Sequence, residues 1–162
     1  MSVAVLSLGT NVGDKAANIK FMEEELQKIS KKPIVCSPLY ESAPVDVKDL
    51  QENYYNKTVR IETDLSPKAL LEITQKIEKN LGRKSKNDKS PRTADIDILL
   101  FDEITIDLPE LTIPHPRMFF RKFAIEGVKD VAADLKNPLT GKRFADFCVC
   151  EEVLQQKTII IE

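Results

Sequence analysis

Asp95 and Asp97 stand two residues apart in the run Ser90-Pro91-Arg92-Thr93-Ala94-Asp95-Ile96-Asp97-Ile98-Leu99-Leu100-Phe101. The apolar residues that follow predict a buried strand, and side chains at i and i+2 of a strand share a face. Two carboxylates held side by side repel unless something positive sits between them. Oxygen ligands of this kind suit magnesium, which keeps its waters and bridges to phosphates. Arg92, three residues before Asp95, suggests an anion such as a polyphosphate at the same place. A solvated strand end is the plainer reading of an Asp-x-Asp pair. Ile96 and Ile98, packing on the opposite face, weigh against it, because carboxylates beside buried positions are expensive without partners.

Other residues could share this chemistry. Arg83, Lys84, Lys86, Lys89 and Arg92 crowd ten positions with one acid, Asp88, and Arg121 and Lys122 add charge further on. They read either as an ordinary solvated loop or as a clamp for phosphates. Phosphoryl-type transfer depends on positioning and charge stabilisation, so carboxylates, a metal and arginines would suffice for it. No Walker-type glycine loop accompanies them. His115 is the only histidine and lies between Pro114 and Pro116. It suits a ligand contact or a structural role better than a metal site, since no second histidine or nearby cysteine accompanies it. Tyr54, Tyr55 and Asn56 in one place, and Phe119, Phe120 and Phe123 in another, are either core or an aromatic-plus-amide pair able to sandwich a flat heterocycle.

The elements that must position these groups are legible as patterns. Val3–Leu8 reads as a buried strand ending in a Gly9-Thr10-Asn11 turn. A helix follows from near Asp14, with Ile19, Met22, Leu26 and Ile29 at helical spacing. Pro33–Glu41 reads as a second strand. Ser42–Asn53 is a long polar loop, of the kind that is usually functional or mobile. Asn56–Thr63 alternates as a half-buried strand. Ser66 and Pro67 suit the N-cap and first position of a helix whose stripe is Leu70, Ile73, Ile77 and Leu81, ending at Gly82. Leu71, Gln75 and Glu78 form a second face of that helix. After the aspartate strand, Ile104–Asp107 reads as a short hairpin partner and Leu111–Pro116 as extended. Phe119–Ala133 and Phe144–Leu154 read as helices and Thr158–Ile161 as a strand. The order predicts an α+β protein with a ferredoxin-like βαββαβ core, a mainly antiparallel sheet covered by helices on one face, and a C-terminal extension. Such a fold does not choose a function.

Composition narrows the field. At 162 residues the expectation is one domain, residues 1–162. A net charge of −2 supplies no field for nucleic acid or an anionic membrane. Cys36, Cys148 and Cys150 are too few and oddly numbered for a disulfide scaffold, and read as small apolar or near-surface residues. The first residues lack the basic region of a signal peptide, and no stretch approaches the ~20 apolar residues of a membrane span. Cytoplasm is the default expectation.

Taken together, these residues resemble the 6-hydroxymethyl-7,8-dihydropterin pyrophosphokinase (HPPK) family over Val3 to Asn137. The likeness is carried by Leu8-Gly9-Thr10-Asn11, Tyr40-Glu41-Ser42-Ala43-Pro44-Val45, Tyr54-Tyr55-Asn56, Gln75-Lys76-Ile77-Glu78 and Leu81-Gly82-Arg83. It continues through Pro91-Arg92-Thr93-Ala94-Asp95-Ile96-Asp97, Leu111-Thr112-Ile113-Pro114-His115-Pro116, and Arg121 with Phe123. The resemblance implies transfer of pyrophosphate from ATP to the hydroxymethyl group of the reduced pterin, giving AMP and the pterin diphosphate, in folate biosynthesis. It implies two magnesium ions held by Asp95 and Asp97, with Arg83 and Arg92 acting on the phosphates. It implies an ATP site of Gln75, Glu78, Arg92, Ile98, Thr112, His115 and Arg121. It implies a pterin site of Ser42, Pro44, Val45, Tyr54, Asn56 and Phe123, and mobile lids at Ser42–Asn53 and Lys84–Ser90. The expected partners are the small-molecule substrates alone, with neither nucleic acid nor membrane, and the expected state is a monomer. Lys89 and Ser90 depart from the family's commonest pattern, as do Glu110 and Pro116, where an arginine and a tyrosine often stand. A non-catalytic ferredoxin-like ligand-binding or regulatory module is the competing reading.

Overall fold

The strand β1 (Ser2–Thr10) is buried from Ala4 to Thr10 because it is paired along both edges, antiparallel to β4 (Tyr54–Thr63) and to β5 (Asp95–Phe101). The computed structural model describes residues 1–43, 52–82 and 94–161. Beyond β4 lie β3 (Tyr40–Ser42) and then β8 (Thr158–Ile160), both antiparallel to their neighbours, giving the order β5-β1-β4-β3-β8. The short β2 (Val35–Cys36) also pairs with β4. The expected α+β architecture and antiparallel sheet are therefore present.

Two helices pack on one face. In α1 (Lys15–Ile29) the Asp14 side chain caps the first turn by accepting the Ala17 N–H at 3.1 Å. In α2 (Pro67–Asn80) Ser66 does the same for Ala69 at 3.2 Å. Gly82, just past the end of α2, takes φ +89°, a conformation that favours glycine. Ile19, Met22 and Leu26 of α1 and Leu70 and Ile77 of α2 close over Ala4, Leu6, Leu8, Val59, Ile61, Ile96 and Ile98.

The expectation that helices cover one face alone is corrected by α3 (Lys122–Ala132), which packs on the opposite face. Its Ala124, Ile125, Val128 and Val131 join Val5, Leu99, Met118 and Phe144 in a second core. The apolar stripe of α3 needs a partner, and the Val5 end of that second face supplies it. A register shift between Val5 and Leu6 makes Leu99 an extra residue in β5, a bulge beside the second core.

Other predicted boundaries moved for local reasons. Pro33–Glu41 is not one strand: Ser37 and Pro38 separate β2 from β3, and Ser37 Oγ accepts the Thr58 N–H at 2.9 Å. Ile106–Asp107 (β6) pairs with Thr112–Ile113 (β7), not with β5. The helix expected from Phe119 is preceded by a 3-10 turn, Pro116–Phe120, because Pro116 suits a first helical position and Arg121 is extended. Phe144–Leu154 resolves into a 3-10 turn, Phe144–Asp146, and the short α4 (Glu151–Leu154). All three cysteines are free and exposed. Among the described residues no helix is long and apolar enough to cross a membrane.

Candidate active site

The face opposite α1 and α2 is only partly covered by α3, and its remainder is polar. On β1, Ser7 and Gly9 alternate with Leu6 and Leu8. Ser7 pairs across to Thr58 and Asp97, and Gly9 to Asn56 and Asp95, so β4 and β5 present their polar side chains on either side of β1. A Cβ added to Gly9 would lie 3.2 Å from Asn56 Oδ1, 3.7 Å from Tyr54 and 3.8 Å from the Asp95 Cβ. Glycine at this point leaves a shallow floor between the amide and the carboxylate.

Local contacts fix each wall. Asn56 is buried and donates from Nδ2 to Ser42 Oγ at 2.7 Å, which orients the amide. Glu78 of α2 is also buried. Its Oε2 accepts the Ile96 N–H at 3.0 Å, securing the outer edge of β5 between the two aspartates. The bulged Leu99 offers its carbonyl to the His115 N–H at 3.0 Å, which draws the Leu111–Pro116 segment onto β5. The Ile113–Pro114 bond within it is cis. His115 Nδ1 accepts the Arg117 N–H at 3.2 Å. The ring proton of the neutral imidazole is then on Nε2. Nε2 faces Asp97 Oδ1 at 3.7 Å, with the two side chains 18% and 16% exposed. This is an electrostatic pairing at more than hydrogen-bond length.

The setting of α3 decides where Phe123 falls. A Cβ on Gly127 would come within 1.9 Å of Thr58 Oγ1 and 2.6 Å of Thr58 Cβ, so only glycine lets the helix rest on β4 here. Further along, Arg60 Nη1 donates to Val131 O at 3.2 Å and to Asp134 Oδ1 at 2.9 Å. Four helical residues advance about 6 Å and two strand residues about 6.7 Å, so the spacing matches in step. One turn before Gly127, Phe123 comes toward the Asn56 and Tyr54 end of β4. It is half-buried against the second core. Tyr40, opposite Asn56 on β3, ties the same helix by donating its phenol to Asp130. Burial, the hydrogen bond to Asp130 and its negative charge push this phenol above the usual tyrosine range.

The remaining predicted residues are more dispersed. Gln75 is exposed on α2. Ile98 is buried in the core on the α1 and α2 side, away from Asp97. Thr112, half-buried on β7, donates to Leu108 O at 3.4 Å. Arg121 is half-buried between the 3-10 turn and α3. Glu110 pairs with Lys68 at 3.7 Å on the surface. Pro44, Val45, Arg83, Arg92, Lys89 and Ser90 lie outside the described residues, as does most of both predicted lids.

Sequence reasoning passed over Gly9 as a site residue, and Tyr40 and Gly127 as positioning residues. The alternation of Leu6 and Leu8 with Ser7 and Gly9 was a signal for the first. Nothing local marked the other two, because each acts through a distant element. Among the described residues no group of three or more His, Cys, Asp and Glu side chains is placed to hold a metal. Asp95 and Asp97 could supply part of a coordination shell, which fits magnesium, an ion that takes few protein ligands and completes its octahedron with water and phosphate oxygens.

The profile of the 7,8-dihydro-6-hydroxymethylpterin-pyrophosphokinase (HPPK) family matches residues 5–133. The 2-amino-4-hydroxy-6-hydroxymethyldihydropteridine pyrophosphokinase of Bacillus subtilis is 36% identical over 141 residues, covering 86% of this chain and 84% of that protein. The protein of the same name from Pseudomonas aeruginosa is 36% identical over 82% of each chain. The folic acid synthesis protein fol1 of Pneumocystis carinii is 40% identical over 88% of this chain, which spans only 19% of that relative's length. A crystal structure of Plasmodium falciparum HPPK-DHPS has the same fold, with a TM-score of 0.69 over 89% of this chain and 43% of that one at 19% identity. With four-fifths of its length matched by the profile, the chain belongs to the HPPK family.

Proposed function

We propose that this chain transfers pyrophosphate from ATP to the hydroxymethyl oxygen of 6-hydroxymethyl-7,8-dihydropterin, releasing AMP, as a step of folate biosynthesis. The observation that carries the reading is the polar half-face of the sheet. There Asp95 and Asp97 lie one strand from Asn56 and Tyr54 across the bare Gly9, with His115 beside Asp97.

Asp95 and Asp97 would hold two magnesium ions, which would supply neutralisation of the phosphate charge. Tyr54 and Phe123 take the two faces of the pterin. Asn56, fixed by Ser42, reads its polar edge together with the chain at Pro44 and Val45. His115 offers its Nε2 proton, and Arg121 its guanidinium, to phosphate oxygens, where Arg83 and Arg92 also act. Gln75, Glu78 and Thr112 line the nucleotide's remaining surface, and Ile98, with its side chain in the core, meets it only through its backbone. The catalysis lies in positioning and charge stabilisation, since no residue forms a bond to the transferred group. The chain works as a cytoplasmic monomer on small molecules.

Incubation with ATP, magnesium and the hydroxymethyl pterin should give AMP and pterin diphosphate one for one. ADP as the nucleotide product, or no pterin-dependent turnover, overturns the reading.

A further inference from the structure

The residues after 133 lie beyond the family match, yet one of them reaches the candidate site. Gln156 follows α4, which is anchored by the buried Val153. Its Nε2 donates to the Phe120 carbonyl at 2.6 Å, and its Oε1 accepts the Lys122 N–H at 2.9 Å. These two backbone groups flank Arg121. That residue is extended, with φ −122° and ψ 116°. In extended backbone the carbonyl before a residue and the N–H after it project to the same side, where a neighbouring strand would pair with both. The Gln156 amide presents the same donor and acceptor and takes the strand's place.

The junction needs such a partner. The first N–H groups of a helix have no intrahelical acceptor. Arg121 occupies the N-cap of α3, and its side chain makes no capping bond. Gln156 supplies the acceptor from the far end of the chain. One amide thus fixes the backbone on both sides of Arg121 and one residue before Phe123. Those are the two residues of this junction assigned above to phosphate and pterin.

We infer that Gln156 is a positioning residue for the site, holding Arg121 and Phe123 in register through the backbone between them. The inference rests on the proposed reaction for its kinetic consequence, but not for the contact itself. Two measurements on the full chain separate these. The first is amide hydrogen exchange at Lys122. Gln156→Ala should speed it by about tenfold or more, whereas Gln156→Glu, which keeps the acceptor, should leave it slow. The second is steady-state kinetics. Gln156→Ala should raise KM for both ATP and pterin by about fivefold, the factor carried by roughly one net hydrogen bond, with kcat within about twofold. A purely structural role would lower Tm and leave both KM values unchanged.

Unchanged Lys122 exchange in Gln156→Ala overturns the contact. Faster exchange with unchanged KM values overturns the positioning role. If the wild-type chain forms no AMP while Gln156 still protects Lys122, the proposed reaction and the kinetic role fall together and the clamp alone survives.

Discussion

Leu8 and Gly9 are neighbours in β1, yet they belong to opposite worlds. Leu8 is enclosed by α1, α2 and the apolar residues of β4 and β5. Gly9 lies between Asn56 and Asp95 on a face that α3 covers only in part, over Val5 and Thr58. The first face is closed along its length and contributes burial, at about 25 cal/mol per Å² of apolar surface. The second is divided: one half anchors α3 and the other is left for polar side chains. Stability and chemistry are thus separated by the strand period of two, and substitutions on the two faces should fail in different ways.

The largest effect should come from the polar half-face. Asp97→Ala should lower turnover by at least about a hundredfold, in the range expected when one electrostatic partner of a transition state is lost. Its urea midpoint should stay close to wild type, because Asp97 is at the open end of β5. Full activity in this variant would remove the carboxylate pair from the mechanism. Leu8→Ala is the counterpart. It should cost about 2–5 kcal/mol in denaturant unfolding, with kcat per folded molecule unchanged. A Leu8→Ala protein of normal stability and poor turnover would erase the division between faces.

The boundary between the two halves can be tested at Gly127. Alanine there cannot coexist with Thr58 in the present positions, so α3 must lift from β4. Gly127→Ala should destabilise by about 1–3 kcal/mol, the usual range for overpacking. It should also raise KM for pterin more than KM for ATP, since Phe123 is on the displaced helix. Adding Thr58→Ala removes the nearest clash, at Oγ1, and should recover part of both losses. If KM values for the two substrates rise equally, α3 does not set the pterin side of the site.

Much of this arrangement was legible because it is local. Ser66, Pro67 and Gly82 marked α2 through capping and backbone preferences, and the alternation around Asp95 placed both aspartates on one face. The single-face helical cover failed because nothing in Phe119–Ala133 states which side of a sheet it will meet. That depended on Val5 and on the Leu99 bulge, features that arise only when strands pair. His115 was singled out by its isolation between prolines, but its tautomer and its proximity to Asp97 come from Leu99 and Arg117. Gln156 gave no local sign at all, since its partners are more than thirty residues away.

The smallest expected effect concerns how firmly β3 holds α3. Tyr40 is buried and its phenol donates to Asp130, so its ionisation is resisted in the folded protein. Below about pH 10, the ordinary tyrosine pKa, the phenol is neutral in both states and adds no pH dependence. Above that, the unfolded chain releases the proton while the folded chain keeps it, so stability falls as pH rises. Tyr40→Phe should cost about 1 kcal/mol near neutrality through the lost hydrogen bond. The same variant lacks the alkaline decline, so its deficit relative to wild type should shrink as urea titrations move from pH 8 toward about pH 10.5. Tyr54 and Tyr55 remain in both proteins, so their contributions cancel in the difference. A deficit that stays constant across this range would mean that Tyr40 ionises equally readily in both states, and that β3 restrains α3 by packing rather than through the phenol.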